Sequence, residues 1–343
     1  MAAPYASCWW LQDHIEFSYD GTIHACCYGY PKKRPGAIIG RDWEEVGHIY
    51  LCDVRDDKFP HEEIREKKRL LHAMIARNDP EAEVCLACPV LKTQDWPGTN
   101  YLISKITLNT WLHCNLKCRY CFVAHPDFKP RRVSYDFAAV IEDMLKGGHL
   151  DPNGNVTWGG GDISALPEFN RISDLFSSYG IFQNIKTSGF KFLRGVAGAL
   201  EKNLALVEVS VDAGTPETYA RVKGKDAFDR VVSNLLQYSK FGQIQLKYIA
   251  MKDNLGDGDI DGFLDLARMI NVKSVVVTPE WSQCHDGAYD EGLLKQIARL
   301  IDSLRTFVPT VTPSNSDDRE RLFPGMRREL ERHLTSTESA TTV

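Results

Sequence analysis

The residues in this sequence best suited to chemistry are its ten cysteines, nine of which precede residue 122. They occupy positions 8, 26, 27, 52, 85, 88, 114, 118, 121 and 284. The N-terminus has no basic segment followed by an apolar one, so we expect no secretory signal and a cytoplasmic location. Clustered cysteines in a reducing compartment bind metal or carry out redox chemistry more often than they form disulfides. The pattern therefore predicts metal sites.

Cys114, Cys118 and Cys121 form a CxxxCxxC spacing. Three thiolates can ligate three irons of a [4Fe–4S] cluster while the fourth iron has no protein ligand. An open coordination position distinguishes a catalytic metal site from a structural one. The alternative is a zinc site completed by His113 or His125.

A second set of thiols consists of Cys8, Cys26, Cys85 and Cys88. Four thiolates suit a closed [4Fe–4S] cluster, and they also suit structural zinc. Cys27 adjoins Cys26 and could replace it as the ligand. Cys52 is interpreted as a small buried apolar residue.

The elements that must position these cysteines follow from the pattern of apolar residues. Strands are predicted over Lys105–Asn109, Asn155–Trp158, Asn184–Lys186, Leu206–Val211, Gln243–Ala250 and Lys273–Thr278. Helices are predicted over Ser134–Lys146, Phe169–Ser178, Phe192–Lys202, Asp226–Phe241, Gly258–Ile270 and Glu291–Thr306. Six βα repeats predict an α/β fold with a parallel sheet, either open or curled into a partial (β/α)6 TIM-like barrel. Functional residues then lie at the C-terminal ends of the strands.

The first hundred residues differ from this repeat. They are rich in Cys, Gly, Pro and aromatic residues, with a turn signal at Asp20-Gly21 and an amphipathic helix predicted over His61–Arg77. We predict a small Cys-rich N-terminal module over 1–98, the barrel over 99–315, and a C-terminal helix with a disordered tail over 316–343.

The CxxxCxxC loop after the first strand resembles the signature of the radical S-adenosylmethionine (SAM) superfamily, and the resemblance extends through most of 101–281. In that family SAM chelates the open iron, and its cleavage yields a 5′-deoxyadenosyl radical. The resemblance implies that Cys114, Cys118 and Cys121 are the cluster ligands. It places Tyr120 near the adenine.

Further motifs carry the same resemblance. Gly159-Gly160-Gly161-Asp162 is similar to the family's Gly-Gly-Glu motif, although a glycine run is also typical of a tight turn, and Asp162 replaces the usual Glu. Thr187-Ser188-Gly189 resembles the family's Thr-Asn-Gly. Ser210 and Asp212 lie in a segment resembling the SAM-ribose motif. Arg221 is a candidate for the SAM carboxylate or an exposed loop arginine.

The N-terminal cysteines resemble the SPASM or twitch modules that hold an auxiliary [4Fe–4S] cluster, although such modules usually follow the barrel. Four cysteine ligands would saturate this cluster and leave it to transfer electrons. Cys284 follows the sixth strand and could return a hydrogen atom to a substrate radical; the alternative is a thiol without a role. Glu280 and His285 are candidate substrate or proton-transfer residues.

The expected function is a radical SAM enzyme that oxidises or epimerises a small metabolite of aminosugar, cyclitol or nucleoside type in natural-product biosynthesis. The absence of a leader-binding winged helix favours this over modification of a peptide or protein. A flavodoxin- or ferredoxin-type reductant is implied. The non-enzymatic alternatives are a zinc-binding interaction module and an electron-transfer protein.

Charge and hydropathy exclude other partners. The chain has 41 basic and 46 acidic residues, a formal net charge of -5. No basic surplus indicates nucleic acid, and no apolar stretch approaches the roughly 18–20 residues that cross a bilayer.

Overall fold

The computed structural model describes residues 4–26, 49–88, 90–96, 101–129, 131–280, 290–313 and 330–334. Two compact units make up the chain. The first comprises Met1–Asn115, Asp127–Lys186 and Leu193–Ala205, and the second comprises Leu116–Pro126, Thr187–Phe192 and Leu206–Val343.

The first unit is built on a sheet with six neighbouring strands. Its strands are β1 (Tyr5–Ser7), β2 (His14–Ser18), β3 (Thr22–His24), β4 (Tyr50–Asp53), β5 (Lys92–Gln94), β6 (Ile103–Asn109), β7 (Leu150–Trp158) and β8 (Phe182–Thr187). The six neighbours run in the order β8–β7–β6–β2–β3–β4. Strands β2, β6, β7 and β8 pair in parallel, and β3 and β4 extend the sheet antiparallel. The remaining pair, β1 and β5, is antiparallel.

The helices of the first unit are α1 (Trp9–Asp13), α2 (His61–Ala76), α3 (Glu83–Leu86), α4 (Phe137–Lys146), α5 (Phe169–Ser178) and α6 (Arg194–Glu201). Helix α5 shows why they pack as they do. Phe169, Ile172 and Phe176 recur at helical spacing and are buried. The rings of Phe169 and Phe176 lie 4.7 and 6.1 Å from that of Trp158 on β7. This apolar stripe holds the helix against the sheet.

The second unit contains four parallel strands in the order β9–β10–β11–β12. They are β9 (Ala205–Ser210), β10 (Ile244–Ala250), β11 (Ser274–Pro279) and β12 (Thr310–Pro313). Its helices are α7 (Pro216–Lys223), α8 (Phe228–Tyr238), α9 (Asp257–Ile270) and α10 (Glu291–Arg305). Helix α7 is capped at both ends. The Thr215 hydroxyl accepts a hydrogen bond from the Thr218 amide, and Gly224 ends the helix with a φ of 66°.

The two faces of this four-stranded sheet differ in polarity. On one face lie the fully buried residues Val207, Val209, Leu246, Tyr248, Val275 and Val277. Tyr248 packs there on Phe263 of α9, with ring centroids 4.7 Å apart. Because successive strand side chains point to opposite faces, the other face carries Glu208, Ser210, Gln245, Lys247 and Ser274. A parallel sheet normally buries apolar residues on both faces, so this polar face is the exception that needs a functional explanation.

The predicted α/β class with a parallel sheet is confirmed, and the sheet is open within each unit. Each of the six predicted strands overlaps an observed strand, and three of them extend one residue beyond it, whereas helix α7 and strand β12 were not predicted. Strands β2 to β4 join the sheet of β6, so the predicted boundary after residue 98 does not coincide with a break in that sheet. The predicted C-terminal segment lies outside the described residues except for 330–334. No helix in the described part is long and apolar enough to cross a membrane.

Candidate functional site

Cys114 lies on an extended segment that continues from β6. The glycine run after β7 pairs with this segment through its backbone. The Gly161 amide donates to the Trp111 carbonyl and the Asp162 amide to the His113 carbonyl, each at 2.9 Å. The Trp111 indole donates back to the Asp162 carbonyl at 3.1 Å. The position of Cys114 is therefore set by the backbone ladder rather than by side-chain packing alone.

The glycines are required for this close approach. A β-carbon at Gly159 would overlap the Asn109 side-chain oxygen, and one at Gly160 would overlap the Trp111 carbonyl oxygen. One at Gly161 would overlap the backbone of His113. Gly160 also has φ +80°, a conformation that side chains disfavour. The run thus does more than form a tight turn, while its contact with SAM stays a prediction.

Asp162 is buried and uses its carboxylate locally, where one oxygen accepts the Ser164 amide at 2.8 Å and begins a short helical turn. Asn115 donates to the Ser164 hydroxyl at 2.6 Å. The replacement of the family's Glu by Asp is consistent with this short local reach. A contact between Asp162 and SAM stays a prediction.

In the second unit, Tyr120, Asp212 and Lys223 form a buried hydrogen-bonded group, which we call the Tyr–Asp–Lys triad. The Tyr120 hydroxyl donates to Asp212 Oδ2 at 2.5 Å. Lys223 Nζ donates to the Tyr120 oxygen at 2.9 Å and forms an ion pair with Asp212 Oδ2. The side chains of Lys223 and Asp212 are 1% and 0% exposed. Sequence reasoning missed Lys223, because a lysine in an ordinary helix is expected at the surface.

Asp212 accepts hydrogen bonds through both its side chain and its backbone carbonyl. Its other carboxylate oxygen accepts the Ile249 amide at 2.7 Å, and its backbone carbonyl accepts the Asn254 amide group at 2.9 Å. Its φ of 57° lies in the left-handed region. Asn254 is a second residue that sequence reasoning missed. Both carboxylate oxygens of Asp212 already accept hydrogen bonds from within the protein. The contact between Asp212 and the SAM ribose stays a prediction.

The triad acts electrostatically on two of the predicted ligands. Burial raises the pKa of the Cys118 and Cys121 thiols, whereas the positive charge of Lys223 lowers both. A hydrogen bond from Tyr120 also lowers the pKa of Cys118. Burial raises the pKa of Tyr120 well above its ordinary value, so this hydroxyl stays a donor. The net pKa of both thiols stays raised, and Lys223 offsets part of the effect of burial.

The loop that carries these cysteines is attached to the end of α7. The amides of Lys117 and Arg119 donate to the carbonyls of Lys223 and Val222, each at 3.0 Å. A β-carbon at Gly224 would come within 2.6 Å of the Lys117 carbonyl oxygen. Helix α7 thus supplies both the loop anchor and the Lys223 charge.

The other predicted residues of the second unit are placed as follows. Arg221 donates to the Asp253 carbonyl at 2.7 Å and to the Thr218 hydroxyl at 3.0 Å. Ser188 accepts the Phe190 amide at 3.3 Å, and Ser210 ends β9. Glu280 is buried, and its amide donates to the Ala250 carbonyl at 2.9 Å. Cys27, Cys284 and His285 lie outside the described residues.

The second set of thiols meets in the first unit. Cys8, Cys26, Cys85 and Cys88 line one cavity, which is otherwise walled by apolar residues such as Leu11, Ile75 and Leu91. The Leu11 amide donates to Cys8 Sγ at 3.4 Å. Cys52 does not line this cavity; it is fully buried in β4, as expected for a small core residue.

The four thiols of this cavity, here called the thiol pocket, influence one another. Burial, together with the neighbouring Cys26, Cys8 and Cys88, raises the pKa of Cys85 to about 12. Burial likewise raises the pKa of Cys8, with a contribution from Cys88. Because like charges oppose one another at close range, the four thiols can ionise together only beside compensating positive charge.

Comparison with known proteins gives the class. Residues 108–267 match the Radical SAM superfamily. GTP 3′,8-cyclase of Vibrio parahaemolyticus is 27% identical over 163 residues, 44% of this chain and 47% of that protein. Mycofactocin maturase MftC of Mycolicibacterium smegmatis is 26% identical over 155 residues, 45% of this chain and 39% of that protein. The chain thus spans about half or less of the length of these curated relatives.

Solved structures of low sequence identity also match. Streptococcus suis SuiB bound to the precursor peptide SuiA has a TM-score of 0.48 and 12% identity, covering 79% of this chain and 68% of that chain. Native anSMEcpe with bound AdoMet has a TM-score of 0.47 and 16% identity, covering 60% and 63%. The family match includes Cys114, Cys118 and Cys121, so residues 108–267 form a domain that matches the radical SAM superfamily.

The glycine ladder predicts unequal costs for two substitutions. Gly160→Ala adds a methyl group at positive φ and against the Trp111 carbonyl oxygen, whereas Gly180→Ala adds it at φ +73° with nothing within 4 Å. The control should cost about 1–2 kcal/mol of unfolding free energy from the backbone conformation, and Gly160→Ala should cost clearly more. Urea denaturation measures both. Equal losses would show that close approach contributes nothing.

The triad predicts a compensating pair. Lys223→Met leaves the Asp212 carboxylate buried without its cation and should cost about 3–5 kcal/mol of unfolding free energy. Adding Asp212→Asn removes the stranded charge and should restore part of that loss. Denaturation of the single and double variants measures the coupling, with exposed Lys240→Met as the control. If the two losses of unfolding free energy simply add in the double variant, the predicted coupling between Lys223 and Asp212 is contradicted.

Proposed function

We propose that this chain cleaves SAM reductively at a [4Fe–4S] cluster bound by Cys114, Cys118 and Cys121, and abstracts hydrogen from a C–H bond of a small metabolite. When bound, the cluster supplies the electron that breaks SAM into methionine and a 5′-deoxyadenosyl radical. The observation that carries the proposal is the CxxxCxxC loop within a radical SAM domain. The SAM contacts belonging to it are Tyr120, Gly159, Gly160, Gly161, Asp162, Ser188, Ser210, Asp212 and Arg221.

The chain's own residues fit this donor set. The positive charge of Lys223 offsets part of the rise in pKa that burial causes at Cys118 and Cys121. The backbone amides of Val123 and Ala124 lower the pKa of Cys121 as well. The glycine ladder holds Cys114.

The polar face of strands β9 to β11 supports a polar small substrate. Lys247 Nζ lies 3.4 Å from Glu208 Oε1, with both side chains about one-tenth exposed. Gln245 donates to the Ser274 hydroxyl at 2.7 Å. Such groups can bind hydroxyl, amino and acidic groups of an aminosugar, cyclitol or nucleoside. The similarity to GTP 3′,8-cyclase, whose name specifies a nucleotide, supports the same class.

A second candidate is modification of a peptide or protein by epimerisation, crosslinking or C–C bond formation. The similarity to Mycofactocin maturase MftC favours it. The product is oxidised if the auxiliary cluster accepts the electron and epimerised if Cys284 donates hydrogen, and Glu280 is proposed as a substrate-contacting or proton-transfer residue. A flavodoxin- or ferredoxin-type reductant and a cytoplasmic location complete the proposal.

The thiol pocket is proposed to hold an auxiliary [4Fe–4S] cluster as part of a SPASM/twitch-like N-terminal module. Within the described residues, no three Cys, His, Asp or Glu side chains come together closely enough to hold one metal ion. Zinc would require all four sulfurs at about 2.3 Å from one point. A [4Fe–4S] cluster instead presents a separate iron to each thiolate. Four thiols lining one cavity suit a [4Fe–4S] cluster, and structural zinc is the alternative.

The first experiment is anaerobic reconstitution with iron and sulfide, followed by iron counting and detection of 5′-deoxyadenosine after adding SAM and dithionite. About eight irons per chain are expected, since two [4Fe–4S] clusters are proposed. Replacing Cys114, Cys118 and Cys121 together with Ala should abolish 5′-deoxyadenosine and leave about four irons. SAM cleavage by that variant would refute the catalytic assignment, and zinc without SAM cleavage would favour an interaction module.

The thiol pocket is tested separately. The double variant Cys85→Ala/Cys88→Ala removes two of its thiols and should lose about four irons while uncoupled SAM cleavage continues at the other site. Cys52→Ala, a cysteine outside the pocket, is the matched control and should keep its iron. Full iron content in the double variant would rule out the auxiliary site.

A further inference from the structure

The parallel strands β2, β6 and β7 of the first unit also form a sheet with one polar face. Their buried apolar residues share the other face and are Ile15, Phe17, Ile106, Leu108, Val156 and Trp158. Because side chains alternate along a strand, the registers of β2 with β6 and of β6 with β7 bring the remaining residues together. These residues are His14, Glu16, Ser18, Lys105, Thr107, Asn109, Asn155 and Thr157. Strand β2 of the predicted N-terminal module thus adds polar groups to the same face as the predicted barrel strands β6 and β7.

A carboxylate on this polar face fixes the orientation of an amide. Asn109 Nδ2 donates to Glu16 Oε1 at 2.6 Å. A carboxylate only accepts hydrogen bonds, so the NH2 group of the Asn109 amide must be the end that faces Glu16. The oxygen of the Asn109 amide therefore faces away from Glu16.

The Asn109 oxygen lies against the glycine run after β7. It occupies the space that a β-carbon at Gly159 would take, so the glycine is needed to leave room for it. Asn109 is the last residue of β6 and is only partly buried, as are Thr107 and Thr157 on the same face. The polar face therefore ends, on the side that leads to Cys114, in an accessible carbonyl oxygen of fixed direction.

Stability alone does not explain the carboxylate behind this amide. Glu16 is only 3% exposed. Burying a carboxylate is costly even where hydrogen bonds compensate it, and apolar residues of similar volume would fill the space without that cost. A parallel sheet normally carries such apolar residues on both faces. The carboxylate is therefore better explained by the amide that it orients.

We infer that Asn109 binds the substrate by accepting a hydrogen bond from one of its hydroxyl or amino groups, and that Glu16 is a positioning residue that holds the Asn109 amide in place. The inference rests on the proposed small-metabolite function and deepens it. A substrate with a donor group at this point satisfies the Asn109 oxygen, whereas an analogue that lacks the donor leaves it unpaired and is rejected. Aminosugars, cyclitols and nucleosides all carry such donors.

The test uses the reconstituted full-length chain with SAM and dithionite. A panel of aminosugars, cyclitols and nucleosides, with glucosamine, myo-inositol and guanosine among them, is screened for compounds that stimulate 5′-deoxyadenosine formation. A stimulating compound is then compared with its deoxy and deamino analogues. The parent should prefer the compound over one analogue by about tenfold in kcat/KM, the factor expected for one hydrogen bond to a buried group. Asn109→Leu should lose this preference, and Asn155→Leu, the same substitution elsewhere on the polar face, is the matched control that should keep it.

The positioning role of Glu16 has its own readout. Glu16→Leu removes the acceptor that holds the Asn109 amide, so it should weaken the same preference and raise KM more than it lowers kcat. Glu16→Gln keeps an acceptor oxygen and should restore the preference. A purely structural role would not produce a preference that follows one group of the substrate. If either leucine variant does not fold, the corresponding alanine variant replaces it under the same criterion.

The outcomes separate this inference from the proposed function. No SAM cleavage by the parent would overturn the proposed function. SAM cleavage that no compound of the panel stimulates would overturn the small-metabolite class and this inference with it. Equal preferences in the Asn109→Leu and Asn155→Leu variants would overturn this inference alone. A rise in the KM for SAM in the Asn109→Leu variant, measured without substrate and equal to the rise for substrate, would assign the Asn109 oxygen to SAM and also overturn it.

Discussion

The close approach of two backbone segments at the ends of β6 and β7 is the constraint on which the functional end of the first unit depends. The sheet does not stop where its strands formally end, because the glycine run continues to pair with the chain from Trp111 to His113. Any side chain at these positions would push the segments apart. The position of Cys114 therefore depends on the lack of side chains at the glycine run after β7. The two segments are far apart in sequence, so this dependence cannot be inferred from local sequence.

Three buried lysines show how this protein manages charge in its interior. Lys223 pairs with Asp212, Lys247 lies beside Glu208, and Lys68 donates to the His14 carbonyl. A buried charge is tolerated only with compensation. Lys223 and Lys247 lie among groups to which we assign a function, so buried positive charge coincides with the proposed chemistry at these two positions.

The sequence predicted those features that depend on local pattern. Apolar alternation located all six barrel strands, and helix α5 was predicted at Phe169–Ser178 with its observed bounds. Helix α7 was missed although Thr215-Pro216 is a sound start signal, because its segment was interpreted as a ligand motif. The parallel pairing of β2 with β6 joins distant segments, and no local periodicity encodes such a partner. The buried lysines were missed because lysine is expected at the surface, although its spacing from Ile64 and Ile75 places Lys68, and not Lys67, on the buried face of α2.

The parallel pairing of β2 and β6 also has a consequence for synthesis. His14–Ser18 pairs with Lys105–Asn109, so β2 leaves the ribosome long before its partner exists. Until then, one edge of the β2–β3–β4 ribbon is open, and open strand edges invite pairing with other chains. Helix α2 is made in this interval and contacts both β1 and β4. Helix α2 can thus cover part of the incomplete sheet until β6, the strand that leads to Cys114, has been synthesised.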